Sequence, residues 1–220
     1  IAIAAFVVLA LVLWRASAFR GATEPTDTEP TAGAPVPVAD ALPAGYVGSA
    51  ACGTCHAAEF EAWSGSQHAI AMQVADEKTV LGDFNDAKFR HFDQTTTFSR
   101  RDGKFMVRTD GPDGKQADFE VLHTFGVYPL QQYLIDIGEG HVQALTIAWD
   151  TRPKAEGGQR WFHLYPTERI GHDDELHWTK RQQNWNFMCS DCHSTDLQKN
   201  YDAATDTFAS RWSEISVGYE

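Results

Sequence analysis

One pentapeptide, present twice, constrains this chain more than any other feature. Cys52-Gly53-Thr54-Cys55-His56 and Cys189-Ser190-Asp191-Cys192-His193 both read Cys-x-x-Cys-His. Together they use all four cysteines of the 220-residue sequence. Two thiols at i and i+3 lie on one side of a helical turn. There they reach the two vinyl groups of one porphyrin as thioethers, and the adjacent imidazole reaches the iron as proximal ligand. The reading is two covalently attached haems c, held through Cys52, Cys55, Cys189 and Cys192, with His56 and His193 on the irons. Three other readings remain open. Two Cys-x-x-Cys pairs can hold zinc, but the flanking histidines are then unexplained. A redox dithiol normally comes as one motif on a βαβ unit. A disulfide within either pair closes a small, strained loop. With nine histidines in the chain, His follows a given residue only about 4% of the time, so its repeat after both pairs favours haem.

Composition narrows the partners. Thirty acidic residues against eighteen basic ones give a net charge of −12, which repels nucleic acid. The same charge points to a redox partner with a basic docking patch. A hydrophobic fraction of 43% excludes both wholesale disorder and a polytopic membrane protein. No Gly-rich phosphate loop, Gly-x-Ser-x-Gly or His-Glu-x-x-His motif offers competing chemistry.

The chain divides into three stretches. Residues 1–20 begin with an uninterrupted apolar run from Ile1 to Trp14, ended by Arg15. This reads as one N-terminal transmembrane helix, or as an uncleaved signal ending near Ala16-Ser17-Ala18. Residues 21–45 hold five of the nine prolines and read as an extended tether. Residues 46–220 form the globular part. Its first portion, to about residue 82, is Ala-rich without proline and reads as helical, with Gly65 as a kink. Residues 89–165 alternate apolar and polar, with hairpin signals at Asp102-Gly103 and Gly111-Pro112-Asp113-Gly114. Leu130–Ile137 reads as a short helix or strand. The expected fold class is α+β: a mainly helical, loop-rich haem core with a β-rich insert at about 89–165. Because covalent haem attachment takes place outside the bacterial inner membrane, the expected location is that membrane, with the globular part on the periplasmic side. The bilayer is then a partner through the N-terminal helix.

Sixth ligands separate a carrier from a catalyst, because a closed iron only passes electrons while an open one binds substrate. Three histidines are the candidates. His68 would lie ~18 Å from His56 along an unbroken helix, too far for the same iron, so either Ser64-Gly65-Ser66 folds the chain back or, as we favour, His68 serves a different haem. His177 lies among aromatics before Cys189, and His123 lies on an expected strand. For His91, His141, His163 and His172 the reading is a hydrogen-bonded surface or core histidine. Trp161, Trp178 and Trp185 are the expected walls of a porphyrin.

The segment GYVGSAACGTCHAAEFEAWSGSQHAIAMQ resembles the opening of multihaem cytochromes of the cytochrome c554/c′ type, in which the first motif is followed by an acidic residue, a Trp and Ser-x-His. Here these are Glu59, Trp63, Ser66 and His68. TFGVYPLQQYL, GGQRWFHLYP and LHWTKRQQNWNFMCSDCHSTDLQKNYD are similar to a subgroup often fused to tetratricopeptide repeats. The resemblance implies a further motif after Ser216-Val217, where this chain has Tyr219 and Glu220. It also implies electron transfer as the activity, as part of or docked to a membrane redox complex or another cytochrome. Two alternatives stay open: a haem oxidoreductase acting on a small nitrogen or sulfur compound, and an accessory subunit of a photosynthetic or respiratory complex.

Overall fold

The computed structural model describes residues 49–195 and 197–212. The expected anchor at 1–20, the proline tether and the Tyr219-Glu220 end all lie outside the described residues. Among the described residues no helix is long and apolar enough to cross a membrane. The expected N-terminal transmembrane helix, and with it the inner-membrane location, finds no counterpart among the described residues.

The expected mainly helical core is corrected. Only four short α-helices occur among the described residues: α1 (Ser49–Cys52), α2 (Ala57–Ser64), α3 (Trp185–Met188) and α4 (Ser190–His193). The body is an antiparallel sheet of nine strands: β1 (Met72–Val74), β2 (Ala87–His91), β3 (Gln94–Arg101), β4 (Lys104–Asp110), β5 (Gln116–Phe125), β6 (Leu130–Asp136), β7 (Val142–Ala144), β8 (Ile147–Asp150) and β9 (Arg160–His163). Its order is β2-β3-β4-β5-β6-β8-β9, with β1 paired to β5 and β7 to β6. The β-rich stretch is the main body, and the helices carrying the motifs are attached to it. A separate hairpin, β10 (Tyr201–Asp202) with β11 (Thr207–Phe208), follows the second motif.

Local sequence explains the meander. Arg101 pairs with Lys104 across a two-residue turn, and Asp102 and Gly103 both take left-handed φ values of 51° and 77°. That is a type I′ turn, whose twist matches the flanking strands. Asp110 pairs with Gln116 across the next turn, where Gly114 has φ 76°. Alternation then sends Thr96 and Phe98 of β3 and Phe105, Val107 and Thr109 of β4 inward.

The Ala-rich stretch is helical only as far as Ser64. Gly65 caps α2, and the chain turns before entering the sheet at Met72. Helix propensity is a weak prior, and here the open edge of β5 overrides it. Pairing Met72 with Phe125 buries the Met72 side chain to 1% exposure.

The sheet curls until its two end strands face each other. β2 and β9 share no ladder among the described residues. Side chains bridge the seam instead: the His91 and His163 rings stack at 3.9 Å and the Phe98 and Trp161 rings at 3.5 Å. Phe84, on the loop before β2, plugs the interior. It meets Phe98, Phe105, Tyr133 and Trp161 edge-on, with centroids 5.1–5.6 Å away. The loop is held by Gly82 N–H donating to the Tyr133 hydroxyl at 3.0 Å and Leu81 N–H to Gln131 Oε1 at 2.8 Å. Only glycine fits at 82, since a Cβ there would lie 2.5 Å from the Tyr133 oxygen.

The seam titrates. Burial first, then the neighbouring His91, pushes the His163 imidazole down to about 4. The folded value lies below the ordinary 6.5, so the unfolded chain takes up this proton first as pH falls. The stability that His163 contributes is therefore complete above about pH 6.5 and is lost progressively towards pH 4, a slope that sums to about 3 kcal/mol. Denaturant unfolding followed across this range should show the decline, and His163→Phe should flatten it. An equal decline in that variant would show that the seam is not its source.

Candidate haem sites

Both motifs adopt the same turn. In the first, Cys55 N–H donates to Cys52 O at 3.2 Å and His56 N–H to the same oxygen at 2.9 Å. In the second, Cys192 and His193 N–H both donate to Cys189 O at 3.1 Å. This is the single helical turn that brings two thiols to one side. Exposure repeats as well: Cys52 and Cys189 are half-buried, Cys55 and Cys192 exposed. Cys55, Cys189 and Cys192 are free thiols, so neither motif closes on itself as a disulfide.

Their settings differ. The first motif runs into α2, none of whose residues is buried. Phe60 and Trp63 lie on that helix with ring centroids 5.9 Å apart, and Phe60 covers Gly53 closely enough that a Cβ would lie 2.9 Å from its ring. The second motif rests on the outer face of the sheet. β6 makes that bed by alternation: Tyr133 and Ile135 point into the barrel, and Leu134 points out. Leu134 packs with Met72, Ala144 and Trp185, and Phe125, Val142, Cys189 and Trp212 close around them. The His193 ring stands 4.5 Å from Phe125, and Trp212 meets Trp185 at 5.3 Å and His123 at 6.2 Å.

This bed has unfilled polar capacity. His123 Nδ1, His193 Nδ1 and Trp185 Nε1 are all buried without a hydrogen-bond partner. Such orphaned groups are few in folded proteins and call for an explanation. Burial holds the imidazoles of His123 and His193 below the usual histidine range, which leaves them neutral with a lone pair available. Burial first, then Cys192, pushes the Cys189 thiol up. Neutral imidazoles, thiols and a surrounding set of aromatic rings suit a porphyrin iron, and the residues present fit haem c.

The other expected ligands divide. His68 is exposed, in the turn between α2 and β1. His177 lies within the barrel, 3% exposed, and both its ring nitrogens are engaged. Nε2 donates to Asp110 Oδ2 at 3.0 Å, and Nδ1 pairs with the Thr179 hydroxyl at 2.8 Å. Burial pushes the Asp110 carboxyl up, but the His177 hydrogen bond and charge outweigh it and hold it low. Neither His177 nitrogen is left for an iron in this arrangement. Trp161 and Trp178 likewise belong to the barrel core, and only Trp185 of the three expected walls reaches the second motif. Phe125 and Trp212 escaped the sequence reading. A strand pairing and the chain beyond the motif bring them in, and neither leaves a local signal.

Asn186 ties the second motif to the sheet. It is fully buried, its Oδ1 accepts Val142 N–H at 2.9 Å, and its Nδ2 donates to Gly140 O at 3.2 Å and Ser210 Oγ at 3.0 Å. Ser190, inside the motif, donates to Asn186 O at 2.7 Å. Asn186→Ala strands the Val142 and Gly140 backbone groups and should destabilise the protein by about 2–3 kcal/mol in denaturant unfolding. A loss under 0.5 kcal/mol would remove Asn186 from this role.

Comparison with known families agrees with this geometry. The family model described as cytochrome c554 and c-prime matches residues 51–112, which contain the first motif. The model described as seven times multi-haem cytochrome CxxCH matches residues 157–211, which contain the second. No curated protein and no solved structure matches the chain. Both matches contain a Cys-x-x-Cys-His turn built to the same hydrogen-bond pattern, and together they support a multihaem c-type cytochrome of the c554 type, a family match that implies covalently bound haem and electron transfer.

Proposed function

We propose that the chain is a dihaem electron relay. One haem c is held by Cys52, Cys55 and His56, and the other by Cys189, Cys192 and His193. His123 is the distal ligand in the second site, and His68 serves a haem other than that of His56. The partner is another cytochrome or a redox complex. The observation that carries this reading is the bed of the second motif, where three buried ring nitrogens lack partners beside a half-buried thiol. Bound haem supplies a one-electron couple there. The chain's own residues do the rest. Cys189 and Cys192 fix the attachment side, and His193 against Phe125 orients the proximal imidazole. Trp185 and Trp212 exclude water from the iron's surroundings, and His123 holds a neutral nitrogen in reserve. With His123 as a second protein ligand, a haem bound here would serve as a carrier.

Two measurements on the intact holoprotein test this. Pyridine haemochrome quantitation should give two haems c per chain, falling to one in the Cys189→Ala/Cys192→Ala variant. A different count, or zinc without haem, would sink the dihaem reading. Electron paramagnetic resonance should show only low-spin iron in the wild type. His123→Ala should convert one haem to high spin, whereas His177→Ala should lower stability with the low-spin signals intact. Low-spin iron throughout the His123 variant would remove it from the ligand set.

A further inference from the structure

A second surface, beside the motif rather than beneath it, has its own chemistry. Phe187, Met188 and Tyr201 are 37%, 59% and 40% exposed, unusual values for such side chains. They are held rigidly, because Phe187, Tyr201 and Phe208 pack with ring centroids 4.7–5.3 Å apart. Phe187 and Tyr201 form the lip of a groove of about 510 Å³, whose walls include His141, Lys180, Arg181 and Asp206. Met188 is joined directly to Cys189, so the patch is continuous with the second motif.

Charge decides what this groove accepts. Asp206 is engaged, since the Tyr201 hydroxyl donates to its carboxylate at 2.9 Å and His141 bonds its main-chain oxygen at 2.6 Å. Lys199 is held by Asp191 at 2.6 Å while its ammonium also lies 5.8 Å from the Phe187 ring. Among the described residues neither Lys180 nor Arg181 has an ion-pair partner. The Arg181 guanidinium sits 5.6 Å over Phe187, which fixes it at the groove wall. Lys180 and Arg181 outnumber the one carboxylate of the groove wall, Asp206, so the excess charge there is positive, on a chain whose net charge is −12. Exposed aromatics beside a fixed arginine are the composition of protein-binding hot spots. Two free cations next to them select an acidic counterpart.

We propose that this groove and its aromatic lip dock an electron-transfer protein through an acidic patch on that partner, with Lys180, Arg181, Phe187 and Tyr201 at the centre. The proposal rests on the electron-relay reading and names the partner's chemistry. It runs against the net charge, which alone would favour a basic partner.

The test uses the haem-loaded chain, labelled with ¹⁵N, and two protein probes: plastocyanin as an acidic redox protein and mitochondrial cytochrome c as a basic one. Plastocyanin should shift amides at 180–188 and 199–208, with an affinity that falls as salt is added. Lys180→Glu/Arg181→Glu should weaken it at least about tenfold, and the neutral Lys180→Gln/Arg181→Gln pair about threefold. The neutral pair keeps the test valid if charge reversal disturbs the local fold. Preferential binding of the basic probe here, an affinity indifferent to both variants, or plastocyanin shifts confined to another face would overturn the proposal. So would groove shifts with citrate and none with plastocyanin, which would mark a small organic-anion site. Docking lost while both haems remain defeats this inference alone. A chain without haem defeats the parent reading, and the same titration still scores the groove.

Discussion

Leu134, between Tyr133 and Ile135, is the point on which both halves of the structure rest. A strand buried on one face alternates with polar residues, but β6 has apolar side chains on both sides here. Inward, Tyr133 and Ile135 join the aromatic interior around Phe84. Outward, Leu134 forms the floor on which Met72, Trp185 and Cys189 settle. The barrel wall is thus also the wall of the candidate second haem site. Helices of four residues have no stability of their own. α3 and α4 persist because Trp185 is buried in that floor and Asn186 is bonded to the sheet beside it.

The motifs, the hairpins and most strands of the body were legible in the sequence, because each depends on residues close together in the chain. Asp102-Gly103 dictates a turn by itself, and Cys-x-x-Cys-His dictates its own helical turn. What was not legible depended on distant partners. The Ala-rich stretch after the first motif reads as helix until β5 offers Met72 a place to be buried. His177 reads as an iron ligand among aromatics until Asp110, 67 residues away, takes its Nε2 proton as a hydrogen bond. The fold class was misjudged for the same reason. The stretch taken as an insert supplies the interior, and the motif segments are borders upon it.

Net charge does not by itself set the sign of a local surface. Part of the charge is tied up in ion pairs along the sheet, such as Arg101 and Arg108 with Asp118 and Lys104 with Glu120. These lie on exposed strands and contribute little stability. They do neutralise one another, so the sign of a patch is set by whichever charges are left unpaired. Around α3 Lys180 and Arg181 outnumber Asp206.

The three-residue ladder between β1 and β5 has a consequence of another kind. It joins the arm carrying the first motif to the strand whose Phe125 touches His193, through the pairs Met72–Phe125, Gln73–Thr124 and Val74–His123. A slip of one residue would turn Met72 out of its pocket and shift the arm by about 3.3 Å. Exposing a fully buried Met72 would cost about 2–3 kcal/mol, and that cost holds the register. On the dihaem proposal, the burial of one methionine acts as a spacer: it sets the length of the gap that a tunnelling electron crosses.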